Sequence, residues 1–148
     1  MIQALKEAQK AYDKNEVPIG CVIVLNGKII ARAHNLREKK QSILSHAEVL
    51  AIEKACKKLN TWRLEDCDMY VTLEPCSMCS GAIIQSRIKN LYYGASEFKT
   101  GACGSVFNLF DYKFNHQVNV CGGIMKDECE SILKTFFKKL RNKKKNLE

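Results

Sequence analysis

The chain has 148 residues, 46% of them hydrophobic, and 24 lysines and arginines against 16 acidic residues leave a formal net charge of +8. This length and apolar content exclude a disordered chain and suit one domain with its own core; no apolar run is long enough to cross a bilayer, and Met1-Ile2-Gln3-Ala4-Leu5-Lys6 lacks a signal peptide's apolar stretch, so a cytoplasmic protein with no membrane partner is expected. The positive charge makes a polyanion, nucleic acid first, the natural partner, against the plainer reading of solubility alone.

Residues 2–14 carry Leu5, Ala8, Ala11 and Tyr12 at three- and four-residue spacing, which predicts an amphipathic helix. Ile19 to Leu25 is apolar and β-branched and predicts a buried strand; Asn26-Gly27 signals a tight turn, so residues 28–33 should return antiparallel. Residues 35–45 are polar and read as loop. Helical spacing resumes at His46 and runs to about Leu59. Asp68 to Leu73 predicts a strand, which Pro75 stops as it opens a short helix through Ser86. Residues 90–94 predict a further strand, 100–105 a small-residue loop, and 118–120 a marginal strand. A last helix is expected from Asp127 to about Leu140, with Ile132, Leu133, Phe136, Phe137 and Leu140 as its apolar stripe. Strands interleaved with helices indicate a layered α/β domain.

The chemistry is concentrated in His46-Ala47-Glu48 and Pro75-Cys76-Ser77-Met78-Cys79. Eight cysteines in a chain this long, without a secretory signal, argue for free thiols in a reducing compartment rather than a disulfide scaffold. His46, Cys76 and Cys79 supply one imidazole and two thiols, three ligands for zinc, and a catalytic zinc keeps its fourth position for water. Both motifs stand where a strand or loop enters a helix, and a helix N-terminus lowers thiol pKa. Glu48, on the same turn as His46, is placed to move protons. Other readings stand beside this one. Ser45 and Glu48 fit a capping box, Cys76-x-x-Cys79 alone fits a redox pair or half a zinc knuckle, and Cys67, Cys103 or Cys121 could close the metal as a structural site. Together, however, the two motifs match the signature of zinc nucleobase deaminases.

Further stretches carry the likeness over nearly the whole chain: Glu16-Val17-Pro18-Ile19-Gly20, Asn35, residues 72–82, Ser86-Arg87-Ile88, residues 99–105 and Asn115-His116. On these residues the chain resembles the cytidine-deaminase-like zinc superfamily and, more narrowly, the bacterial tRNA-specific adenosine deaminases. The resemblance implies an α/β three-layer fold with a central five-stranded mixed sheet flanked by helices, in a zinc-dependent deaminase domain over 1–140; the lysine- and arginine-rich end of the chain itself reads as a basic tail over 141–148. The resemblance also implies a homodimer with one zinc (Zn2+) per subunit, and hydrolysis of adenosine to inosine at the wobble position of a tRNA anticodon stem-loop. By the same match His46, Cys76 and Cys79 are the ligands and Glu48 the catalytic proton shuttle. Asn35 would hydrogen-bond the base, helped by the backbone around Ala47. Pro18, Ile19 and Leu73 would wall the slot, and Lys99 and the loop after it would approach the RNA backbone. Glu97, where such relatives often carry aspartate, joins Asn115, His116, Phe137 and Arg141 as further candidate RNA contacts.

Two other functions share parts of this pattern. A guanine or other free nucleobase deaminase would use the same zinc chemistry, although the basic charge and the Lys99 loop favour RNA. A non-catalytic zinc protein that binds nucleic acid would need a fourth protein ligand. The cluster Lys138, Lys139, Arg141, Lys143, Lys144 and Lys145 reads equally as a solvated helix end or as an arm on RNA phosphates.

Overall fold

A computed structural model of the chain describes residues 1–147; Glu148, the last residue of the expected basic tail, lies outside the described residues. Five strands, β1 (Gly20–Leu25), β2 (Lys28–His34), β3 (Cys67–Leu73), β4 (Asn90–Ala95) and β5 (Asn119–Cys121), form one sheet in the order β2-β1-β3-β4-β5. β1 runs antiparallel to both β2 and β3, whereas β3, β4 and β5 are parallel, so the sheet is mixed. The β1–β2 hairpin turns on Asn26 and Gly27, both at positive φ (51° and 76°), the conformation that this residue pair adopts at little cost.

The helices are α1 (Ile2–Asp13), α2 (Arg37–Lys40), α3 (Ala47–Leu59), α4 (Ser77–Gln85) and α5 (Lys126–Lys145). α1 turns Ala4, Glu7, Ala8 and Ala11 inward, a stripe of mostly small side chains that lets it lie close on the sheet beside α5. On the other face, Ala47, Ala51 and Ala55 of α3 and Ile83 of α4 pack with Cys21, Ile23, Met69, Val71 and Leu91 into the main core. The architecture is thus helix, sheet, helix, as expected. β3–α4–β4 is a parallel crossover, and its helix starts just beyond the carboxyl end of β3, where open α/β sheets place their ligands.

Three local features differ from expectation. The polar stretch after β2 contains α2, whose four residues are too few to show a period. A 3-10 turn covers Leu109–Asp111, with Asn108 accepting the backbone N–H of Phe110 at 3.0 Å. α5 continues through Lys145, because nothing after Leu140 breaks it and its basic last turn suits the negative end of the helix dipole. Within α5, Phe136 is buried but Phe137 and Leu140 are about two-fifths exposed, so the apolar stripe is only partly covered. Among the described residues, no helix is long and apolar enough to cross a membrane.

Candidate active site

His46 and Cys76 occupy equivalent places: each is the N-cap of its helix, in extended backbone conformation, and each carbonyl accepts the first helical bond, from Leu50 and Ser80. Pro75 therefore precedes the cap rather than opening the helix. α3 and α4 pack together, and their starts bring His46, Cys76 and Cys79 into one group whose ligand atoms lie within 4.8 Å of one another. Cys76 Sγ and Cys79 Sγ stand 3.7 and 3.5 Å from His46 Nδ1. With Zn–S near 2.3 Å and Zn–N near 2.05 Å, a tetrahedral ion requires an S···N edge of about 3.6 Å. Both edges meet this, so the donor set and its spacing suit zinc.

Among the described residues, no fourth histidine, cysteine or carboxylate joins the group. Cys103 Sγ is turned to Ser80 Oγ at 3.9 Å, and Cys67 lies at the far end of β3, about 20 Å along the strand from Leu73. The capping-box reading also falls: α3 has no side-chain cap, and Glu48 is buried at the cleft instead of closing back on Ser45. Burial pushes the Glu48 carboxyl up to about 7. A hydrogen bond from Cys79 holds Cys76 down to about 4 and correspondingly pushes Cys79 up. The bond to Cys76 raises His46. One thiolate is thus favoured even before a cation adds its field.

These groups open into a cleft of about 240 Å³. Val17, Ile19 and Leu73 give it apolar surface, and Asn35, Arg37, Glu74, Glu97, Lys99, Thr100 and Phe137 complete the lining. Asn35 is 5% exposed and laces two segments together: its Nδ2 donates to Val17 O (3.3 Å) and its Oδ1 accepts from Arg37 N (3.2 Å). An amide so held retains one donor and one acceptor for a ligand.

The sequence-derived candidates are thereby sorted. Ile19, Asn35, Leu73, Glu97, Lys99 and Phe137 reach the cleft with the metal-ligand group and Glu48. Pro18 and Ala47 do not line it; both are fully buried, and Ala47 contributes the start of α3. Asn115 and His116 are also absent from its lining: Asn115 is exposed, and His116 Nε2 donates to Ile88 O at 2.8 Å, tethering its loop. Arg141 is exposed one turn beyond Phe137. Val17, Arg37, Glu74 and Thr100 were not singled out as cleft residues. Val17 and Glu74 had a signal, lying inside matched stretches; Arg37, one cation in a run of polar loop residues, had none.

The MafB19-like deaminase family matches residues 1–141. A tRNA-specific adenosine deaminase of Bacillus subtilis is 53% identical over 98% of this chain and 91% of its own length. A solved structure from work on A-to-I editing by tRNA:A34 deaminases at the wobble position of transfer RNA is 43% identical, with a TM-score of 0.87 over 90% of this chain and 97% of that one. A guanine deaminase from Nitrosomonas europaea shares the fold, with a TM-score of 0.74 at 21% identity over 90% of this chain and 80% of its own. With its donor triangle, buried carboxyl group and five-stranded mixed sheet, the chain belongs to the family of bacterial tRNA-specific adenosine deaminases.

Proposed function

We propose that this protein hydrolyses adenosine to inosine at the wobble position of a tRNA anticodon, with one zinc ion held by His46, Cys76 and Cys79. The observation that carries the reading is a three-atom donor set with no fourth protein ligand among the described residues, opening with buried Glu48 into a cleft sized for a single base. When bound, zinc supplies Lewis acidity that makes water nucleophilic near neutral pH.

The chain's own residues do the rest. Glu48 takes a proton from the attacking water and delivers it to the purine ring nitrogen; it then takes the proton of the hydroxyl added at C6 and delivers it to the departing amine, so that ammonia leaves as the carbonyl forms. A buried carboxyl group beside the donor set is placed to do both. The free donor and acceptor of Asn35 hold the edge of the base, while Val17, Ile19 and Leu73 pack on its apolar faces. Lys99, Thr100 and Arg37 stand at the mouth of the cleft, where a nucleotide's phosphates would lie. An unpaired anticodon loop fits this arrangement because its bases enter a pocket without breaking a duplex. The cations at the cleft favour RNA over a free nucleobase such as guanine.

Phe98, Val106, Phe107, Tyr112 and Phe114 are exposed apolar residues within residues 98–114, surface that a homodimer would cover. All eight cysteines are free, in keeping with a reducing, cytoplasmic setting. The test is mass analysis of nucleosides from an anticodon stem-loop incubated with the zinc-loaded protein. Inosine should appear at the wobble position alone; its absence would sink the reading.

A further inference from the structure

Glu74 lies between the end of β3 and the ligand turn Pro75-Cys76 and is 2% exposed. Its carboxylate faces backbone and hydroxyl donors, all from the loop 97–105. Oε1 accepts from Glu97 N (3.1 Å) and from Ser105 Oγ; Oε2 accepts from Cys103 N (2.9 Å) and Ser105 N (3.2 Å). Its own N–H donates to Ala95 O at 2.8 Å, fastening it to the end of β4. The same loop presents Glu97, Lys99 and Thr100 to the cleft, and Glu97 Oε1 in turn accepts from Lys99 N at 3.0 Å.

We propose that Glu74 is a positioning residue that sets the substrate-facing loop 97–105 at a fixed height above the metal-ligand turn, and thereby governs how tightly RNA is held. The proposal rests on the reading of this cleft as an RNA-binding site. Four hydrogen bonds from one loop converge on this single buried carboxylate. The loop is therefore held by a side chain that cannot leave without orphaning three backbone N–H groups.

Glu74→Gln tests this with little change of shape. An amide nitrogen cannot accept, so it would lie least badly at the Oε1 position, where Ser105 Oγ can turn to accept from it. Only the Glu97 N–H then loses its partner, freeing the arm that carries Lys99 and Thr100 while Cys103 and Ser105 stay bound. In zinc-loaded protein, amide hydrogen exchange should quicken over residues 96–100 and stay unchanged over 103–105. The KM for an anticodon stem-loop should rise about five- to ten-fold, as the loss of about one hydrogen bond implies, with kcat changed less than about two-fold and zinc content intact. Ser105→Ala leaves the Glu97 bond in place and should move KM less.

Unchanged exchange over 96–100, or an unchanged KM, overturns the proposal. So does loss of zinc with collapse of kcat, which would make Glu74 part of the metal site's framework. A wild-type protein that forms no inosine while Glu74→Gln still loosens 96–100 would refute the proposed function but leave the loop anchor standing.

Discussion

Gly101 faces Cys76 across an isolated antiparallel bridge, and the adjacent Ala102 N donates to Pro75 O at 2.9 Å. The approach requires the missing side chain: a Cβ on Gly101 would collide with the Glu74 carboxylate and the Glu97 carbonyl. Gly101→Ala should destabilise the fold by ~1–3 kcal/mol, as overpacking does. Urea unfolding of the zinc-loaded protein measures it; wild-type stability in the variant would mean that the loop yields freely.

The assigned roles separate under substitution. Glu48→Ala should keep zinc and lose roughly 10²–10⁴-fold in kcat, the usual contribution of a proton-transfer group. Cys76→Ser should lose the metal itself, and chelation of the wild type should mimic it. Zinc content by atomic absorption, read beside inosine yield, distinguishes the two. Full activity in Glu48→Ala would remove Glu48 as the shuttle.

Lys99 is exposed and lines the cleft, and in the proposed function it would contribute charge rather than base recognition. Lys99→Ala should weaken stem-loop binding to all sequences alike and lower the slope of log affinity against log salt by about 1. Fluorescence anisotropy over a salt series checks this; an unchanged slope would place the lysine away from phosphate.

Glu16 holds the opposite wall. Its buried carboxylate accepts from Glu38 N (3.0 Å) and Lys39 N (2.9 Å), fixing the short α2 that starts with Arg37, two residues after Asn35. Glu16→Gln orphans one of the two N–H groups, and should cost ~1–3 kcal/mol of stability and raise KM. Thermal unfolding and steady-state kinetics report the two effects separately.

His34 should make stability depend on pH. Lys14 Nζ donates to its Nε2 at 2.9 Å, so the ring proton sits on Nδ1, 3.9 Å from Glu7 Oε2. Burial first, then Lys14, Lys10 and Lys54 against the partly compensating Glu7, lower its pKa. The unfolded chain therefore takes up this proton at higher pH than the folded one. Stability should fall as pH drops below about 6.5, and level off below the depressed folded value. In His34→Gln the urea midpoint should vary less over this window; parallel pH profiles for the two proteins would count against it.

Contiguous patterns are legible in the sequence. α1, the Asn26-Gly27 hairpin, β3 and the helices after His46 and Pro75 follow from periodicity and turn chemistry acting over a few residues. The residues proposed as the donor set stand in equally short windows, Cys76 and Cys79 three apart and His46 and Glu48 two apart, each pair at a helix start. α2 is not legible in this way, since Glu16, 22 residues before Glu38, supplies what its own sequence lacks.

His46, Cys76, Cys79 and Glu48 are thus a matter of residue type and spacing, which local chemistry encodes. Which cations reach the cleft, whether Phe137 or Phe136 faces it, whether Cys103 closes the metal, and why Asn115 and His116 stand aside depend on how α5 and the loop after β4 pack. Those outcomes come from contacts between segments far apart in the chain, and no short window of sequence carries the energy of a contact whose other half lies outside it.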